Sequence, residues 1–275
     1  WGREVVRASW EKPPPQVVFN PQNAPAYGRW LAARYKKAPN LIWVLGGDRD
    51  PHGVEDVWRA MAAGLREGDG GRHLITFHPP GGQSSSKYLH SEKWLAFNMV
   101  QSSHSSKDLP NYRFIEHDYQ LTPVKPVLDG EPRYEDHPVN WDPEHKGWFD
   151  AYDVRQAAYW AVFAGAFGHT YGCHAVWQML EPGRPPLGLA RHNWKDDLDL
   201  PGATQMQYVR MLMESRPFLS RVPDQSLVLE NVPNTFDHVQ ATRGDGYAFF
   251  YIPGGKPIHV QLGKISGYSV HCWWY

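Results

Sequence analysis

The chain has 275 residues, with 28 Lys and Arg against 29 Asp and Glu and a formal net charge of −1. This length suits one large α/β domain with an appendage, and the balanced charge supplies no field for a polyphosphate backbone, so no nucleic-acid partner is expected. Hydrophobic residues at 41% exclude a disordered chain, no run of 18 apolar residues offers a membrane span, and two cysteines, Cys173 and Cys272, exclude a disulfide framework.

Residues 1–22, with Pro13-Pro14-Pro15, read as a surface loop. Tyr27, Trp30, Leu31 and Tyr35 then fall at i, i+3, i+4 and i+8, which predicts a helix over 23–37 with Asn23 as its N-cap. LIWVLGGD (41–48) is a continuous apolar run ending in Gly-Gly-Asp, and it reads as a parallel strand buried on both faces. A helix follows through Val54, Val57, Trp58, Met61 and Leu65 and stops at Gly68-Asp69-Gly70-Gly71. Further strands are expected in LITFHPP (74–80), FNMVQSSHS (97–105), KPVLDGEPRYE (125–135) and HAVWQM (174–179), with a helix near 151–166 before the last. A final helix spans roughly 202–215. Beyond 225 come short segments with turn signals at Gly244-Asp245-Gly246 and Gly254-Gly255: SLVLE, HVQATR, YAFFYIP, HVQLG and YSVHCWWY. No initiator Met or export signal is visible, so the address of the natural protein is not written in this chain.

Alternating strands and helices predict an α/β fold with a parallel sheet. Polar residues close each strand (Asp48, His78, Gln101 with His104, Glu131, Gln178), as at the C-terminal face of a (β/α)8 TIM barrel. Only five strands are visible where a barrel needs eight, so about three βα units are expected upstream. The expected organisation is an incomplete barrel over 1–216 and the start of a small β-sandwich over 217–275. An open doubly wound sheet is the alternative, but no Gly-rich phosphate motif is present.

Asp48 and Glu131 close non-neighbouring strands and would face each other across a barrel mouth. Paired carboxylates there suit glycoside hydrolysis, in which one group stays protonated and the other ionised. The plain alternative makes Asp48 a helix cap and Glu131 an ion-pair partner of Arg133 or Arg49. Asp129, two positions before Glu131, would support it from beneath. His78, Gln101 and His104 are candidates for binding sugar hydroxyls, and Tyr171 and Trp177 for stacking on sugar rings; each has core packing or a structural hydrogen bond as its alternative. The chain's 13 Trp and 14 Tyr suit sugar faces as well as a packed core. No HExxH, GxSxG or compact ligand motif occurs, so no metal and no cofactor are expected. Histidines His78, His104, His169 and His174 would have to converge to build a metal-dependent hydrolase instead.

The ordered strings NPQNAPAYGRWLAARYKKAPNLIWVLGGD, HLITFHPPGG, FNMVQSSHS, KPVLDGEPRYED and DVRQAAYWAVFAGAFGHTYGCHAVWQ resemble the apiosidase-like glycoside hydrolases, glycoside hydrolase family 140, over about residues 1–215. The resemblance implies a (β/α)8 barrel that removes apiose-type or related side chains from plant polysaccharide. It makes Asp48, in LGGD, the acid/base and Glu131, in DGEP, the nucleophile; Arg49, next to Asp48, is a further candidate for binding substrate. The tail resembles the small β-sandwich that follows such domains. A polysaccharide or oligosaccharide substrate implies a secreted or periplasmic protein. A different class of function, a non-catalytic carbohydrate-binding or adhesion module, would use the same aromatic residues as a shallow strip. Neither the sugar, the linkage nor the oligomeric state is legible.

Overall fold

The computed structural model describes residues 18–275, so the loop expected over 1–22 lies outside the described residues as far as residue 17. The chain divides into two compact units. One runs through Gln101 and takes in Gln120–Val127, and the other holds Ser102–Tyr119 and Leu128–Tyr275. Among the described residues no helix is long and apolar enough to cross a membrane.

In the first unit, α1 spans Ala24–Tyr35, with Pro25 in the first turn, where its missing N–H leaves no intrahelical bond unmade. Asn23 stands at the expected N-cap position but makes no side-chain cap bond: its side chain accepts from the Asn20 N–H at 2.8 Å and donates to the Val18 carbonyl at 2.7 Å. Of the expected apolar face only Leu31 packs against the core. Ala24, Gly28 and Ala32 are buried, while Tyr27, Trp30 and Tyr35 are exposed. The reason is the neighbouring helix α2 (Glu55–Asp69), whose backbone comes too close for larger side chains. A Cβ added at Gly64 would lie 2.2 Å from the Pro25 carbonyl oxygen, and one at Gly28 would lie 2.7 Å from that of Met61. Helix α2 matches its periodicity, burying Val57, Trp58, Met61 and Leu65, and ends on left-handed Gly70.

Strand β1 (Ile42–Gly46) pairs in parallel with β2 (Leu74–His78), with Trp43 opposite Ile75 and Gly46 opposite His78. Burial on both faces was expected of β1. Trp43 and Leu45 are buried, but Ile42 and Val44 are about half exposed, so within this unit only one face of β1 is covered. Next come β3 (Gln83–Ser84), the short α3 (Ser86–Leu89) and β4 (Asn98–Gln101), with β3 antiparallel to β4. The chain entering β4 runs beside β2: the Ala96 N–H donates to the Ile75 carbonyl at 2.8 Å, and the Thr76 hydroxyl donates to that of Phe97 at 2.8 Å. Trp58 packs edge-on against Phe77 at 5.5 Å in a core shared with Leu65, Leu89 and Leu95. Burial of each such side chain contributes about 1.5–3 kcal/mol.

The second unit contains α4 (Tyr112–Tyr119), β5 (Val127–Asp129, from Leu128 onward), α5 (Pro143–Lys146), α6 (Ala151–Phe163) and β6 (Gly168–His169). Helix α6 starts on a reciprocal cap between Asp150 and Asp153 and is buried along most of its length. Strands β5 and β6 pair in parallel, Leu128 with Gly168 and Asp129 with His169. The strand expected at 174–179 is instead helix α7 (His174–Trp177). Cys173 is still extended and bridges to Glu135 in parallel, after which the chain closes a helical turn through the Trp177 N–H and the Cys173 carbonyl. The true parallel strand, Gly168–His169, has only two residues, too few for any alternation to show.

Helix α8 (Pro201–Glu214) follows, burying Gly202, Val209 and Met213, and then β7 (Val222–Pro223), β8 (Gln240–Gly244) and β9 (Tyr247–Tyr251) form an antiparallel sheet in that order. The hairpin expected at Gly244-Asp245-Gly246 joins β8 to β9, with Gly246 at φ 74°. The other expected strands differ. Gln225–Leu227 is a 3-10 turn, HVQLG contributes a single bridge between Val260 and Val228, and YSVHCWWY forms no strand. Residues after α8 fasten onto α6: Trp160 Nε1 donates to the His238 carbonyl at 3.0 Å, and Tyr159 stacks on Tyr251 at 4.7 Å. Both cysteines are free thiols, Cys173 buried and Cys272 exposed.

Candidate active site

In the first unit the chemistry sits where β1 and β2 end. Gly46, Gly47 and Asp48 carry φ angles of 81°, 133° and 52°. Gly46 admits no side chain, since a Cβ there would lie 2.6 Å from the His78 carbonyl oxygen. For Asp48 the left-handed conformation costs about 1–2 kcal/mol, a kind of strain that concentrates at functional positions. The turn is held by the Gly47 N–H donating to the His78 carbonyl at 3.1 Å, and by the Asp48 N–H facing His78 Nδ1 at 3.4 Å. Asp48 and Arg49 are exposed, and an Arg49 Nη1 reaches the Asp48 carbonyl at 3.4 Å. Gln101, the last residue of β4, is 5% exposed, and its Oε1 has no hydrogen-bond partner. Such a buried acceptor costs about 1–3 kcal/mol until a donor meets it.

In the second unit Glu131 lies two residues beyond β5. His104 Nε2 stands 3.2 Å from Glu131 Oε1, and both side chains are largely buried. Ser102 links Glu131 to Asp129: its N–H donates to the Glu131 carbonyl at 3.0 Å, and its hydroxyl donates to Asp129 Oδ2 at 3.1 Å. The Asn111 amide donates to the same oxygen at 2.9 Å. Asp129 is fully buried, and that burial pushes its carboxyl up to about 6, against the opposing pull of Asn111, Ser102 and Arg133. The Arg133 guanidinium donates to the carbonyls of Lys107 and Leu109 and to Gln156 Oε1.

A row of rings leads away from His104. It stacks on His137 at 4.3 Å and tilts against Tyr134 at 4.7 Å, and His137 in turn meets Trp141 and His174, each at 4.4 Å. Burial, aided by His104 and His174, drives His137 down to about 3, so this ring is neutral in the working range. Its Nδ1 is 2.7 Å from the Pro138 carbonyl and so carries the proton. The same logic fixes His174. Its Nε2 donates to the Gly188 carbonyl at 2.7 Å, and its Nδ1 accepts from Trp177 Nε1 at 3.2 Å.

Residues 1–220 match the family model described as "Apiosidase-like, catalytic domain". The chain belongs to the apiosidase-like family. Residues 222–275 match a second model, "Putative collagen-binding domain of a collagenase". A solved structure titled "Glycoside hydrolase" is 40% identical with a TM-score of 0.86, covering 90% of this chain and 59% of its own. A glycoside hydrolase family 5 structure from Bacteroides vulgatus ATCC 8482 is also 40% identical at TM-score 0.86, covering 90% of this chain and 57% of its own. This chain therefore spans less than two thirds of the length of either. No curated protein matches it.

Within each unit of this apiosidase-like chain, part of the sequence-predicted set comes together. The first unit gathers Asp48, Arg49 and His78 at one strand end, and the second gathers His104, Glu131 and Asp129. The Tyr171 hydroxyl donates to Glu135 Oε2 at 2.7 Å, and its ring is partly exposed. Trp177 lies on α7 rather than at a strand end, half exposed and anchored to His174. Sequence reasoning missed Ser102, Asn111, His137 and Trp141. Ser102 and Asn111 reach Asp129 across 27 and 18 residues, a separation no local motif encodes. Trp141 had one local signal, the NW pair, which adopts left-handed φ angles of 54° and 61°.

Proposed function

We propose that this chain carries the catalytic carboxylates of a glycoside hydrolase built on a (β/α)8 scaffold, acting on an apiose-type or related side chain of plant cell-wall polysaccharide outside the cytoplasm. Asp48 is the acid/base and Glu131 the nucleophile of a retaining reaction. The observation that carries this reading is Glu131 just past the end of a parallel strand, gripped by His104 at 3.2 Å, in a chain of the apiosidase-like family. In the first step Asp48 gives its proton to the departing oxygen while Glu131 attacks the anomeric carbon. In the second, Asp48 takes a proton from water, which displaces Glu131. A proton on His104 Nε2 holds the Glu131 carboxylate in one orientation. Gln101 Oε1 accepts from a sugar hydroxyl, His78 and Arg49 bind near Asp48, and the Trp177 ring offers a stacking face.

The test is turnover on a panel of pectic oligosaccharides, with the product anomer followed by NMR. Asp48→Asn is expected to lower kcat by about 10²–10⁴-fold, and Glu131→Gln by at least about 10³-fold. The first-formed product should keep the substrate's anomeric configuration. Near-native turnover in either variant removes that residue's role, and an inverted product removes the nucleophile. Saturable sugar binding without turnover on any substrate would move the chain to the class of binding modules.

A further inference from the structure

The second unit carries another group of ligating atoms that the reaction above does not use. His192 Nδ1 stands 3.2 Å from Asp136 Oδ2 and 3.2 Å from Asp197 Oδ1, and the donor atoms of all three residues lie within 4.8 Å of one another. Asp136 and Asp197 are only 5% and 3% exposed. Each carboxylate is held by its other oxygen. Arg191 donates to Asp136 Oδ1 through Nε at 2.8 Å and also through Nη2, with its guanidinium 3.9 Å over the Trp148 ring. The Cys173 thiol lies 3.8 Å from Asp197 Oδ2. These contacts leave one oxygen of each carboxylate aimed at His192. Asp136 Oδ2 is buried and makes no hydrogen bond, because His192 Nδ1, though 3.2 Å away, lies off the bonding angle.

Two buried carboxylates directed at one point repel each other unless a positive charge sits between them. A tetrahedral ion with bonds of about 2.0–2.1 Å separates its ligand atoms by about 3.3 Å, close to the 3.2 Å that His192 keeps from each aspartate. The donor set is one imidazole nitrogen and two carboxylate oxygens. Calcium and magnesium take oxygen ligands, whereas imidazole with carboxylate suits zinc and its neighbours. The contacts from Arg191 and the Cys173 thiol are the outer hydrogen bonds that orient ligands at such centres.

We propose that Asp136, His192 and Asp197 bind a divalent cation of zinc's class, with water as the remaining ligand, and that the ion staples the 191–199 segment to the turn at Asp136. No short motif announces this group, because Asp136 stands far from the other two in the chain.

The test uses untagged, chelator-stripped protein titrated with zinc chloride by calorimetry, with cobalt(II) as a spectroscopic probe. The expected result is one ion per chain, a higher Tm on loading, and visible d–d absorption from bound cobalt. Asp197→Asn and His192→Ala should each weaken zinc by at least about tenfold and abolish the cobalt signal. His192 is half exposed, so its replacement keeps the test valid if the buried Asp197 variant fails to fold. Absence of saturable binding would overturn the proposal in favour of a protonated His192 bridging the two carboxylates. Stoichiometric binding that His192→Ala leaves unchanged would overturn it too, by placing the ion elsewhere.

Discussion

Asp129→Asn isolates the cost of burying an ionised carboxyl beneath Glu131. Burial raises Asp129 from its ordinary 3.8 to about 6 in the folded protein. Between those values the folded state holds a proton that the unfolded state has released, so this group makes stability fall as pH rises. The full gap corresponds to about 3 kcal/mol, and about 2 kcal/mol of it accumulates between pH 4.5 and pH 7. Asparagine has no such dependence. Its carbonyl can accept from Ser102 and Asn111 as Asp129 Oδ2 does, but its NH₂ would take the place of Oδ1, which has no partner. That orphaned donor costs about 1–3 kcal/mol at every pH. Protonated Asp129 carries the same orphaned donor at Oδ1, so the variant should lie near wild type at pH 4.5 and gain about 2 kcal/mol on it by pH 7. Urea unfolding at four pH values, read as the difference between the two proteins, measures this. The difference is needed because His137 and His169, both lowered to about 3 by burial, bind fewer protons folded than unfolded and make wild-type stability rise with pH over the same interval. Parallel stability curves for the two proteins would show that Asp129 does not titrate there, and the account of its burial would fail.

Gly64→Ala sets a helix-propensity gain of about 1 kcal/mol against a Cβ only 2.2 Å from the Pro25 carbonyl oxygen. All the nearest atoms belong to the α1 backbone, so overpacking of about 1–3 kcal/mol should win. A lower urea midpoint is expected, and a raised one would mean that α1 and α2 are not in tight contact. Tyr171→Phe removes the donor to Glu135, whose carboxyl burial already raises and Tyr171 holds down. A loss of about 1.5–3 kcal/mol at pH 7 is expected, together with a further rise of the Glu135 pKa. Unchanged stability would mean that the hydroxyl serves a ligand instead. Loss of turnover in Asp48→Asn and Glu131→Gln, and zinc uptake lost in His192→Ala, complete the set.

The sequence by itself determined what local chemistry controls. The spacing of Val57, Trp58, Met61 and Leu65 set α2 and its buried face. Gly70 ended that helix, and Gly244-Asp245-Gly246 turned the hairpin. Gly46-Gly47 before Asp48 marked a strand end where the backbone must turn left-handed, a demand only glycine meets without strain. The polar residues closing β1, β2, β4 and β5 were likewise visible in order. Tertiary structure decided which surfaces those elements bury. The aromatic stripe of α1 looked like a core face, but close backbone approach by α2 selected Ala24, Gly28 and Ala32. HAVWQM looked like a strand, but the parallel ladder had been completed at Gly168–His169 and by the Cys173 bridge, and the chain beyond was free to coil. The partners of each functional side chain were also outside the sequence's reach: His104 for Glu131, Ser102 and Asn111 for Asp129, Glu135 for Tyr171. Those contacts join residues 18 to 36 apart, and their geometry comes from packed helices and strands rather than from the local pattern on either side.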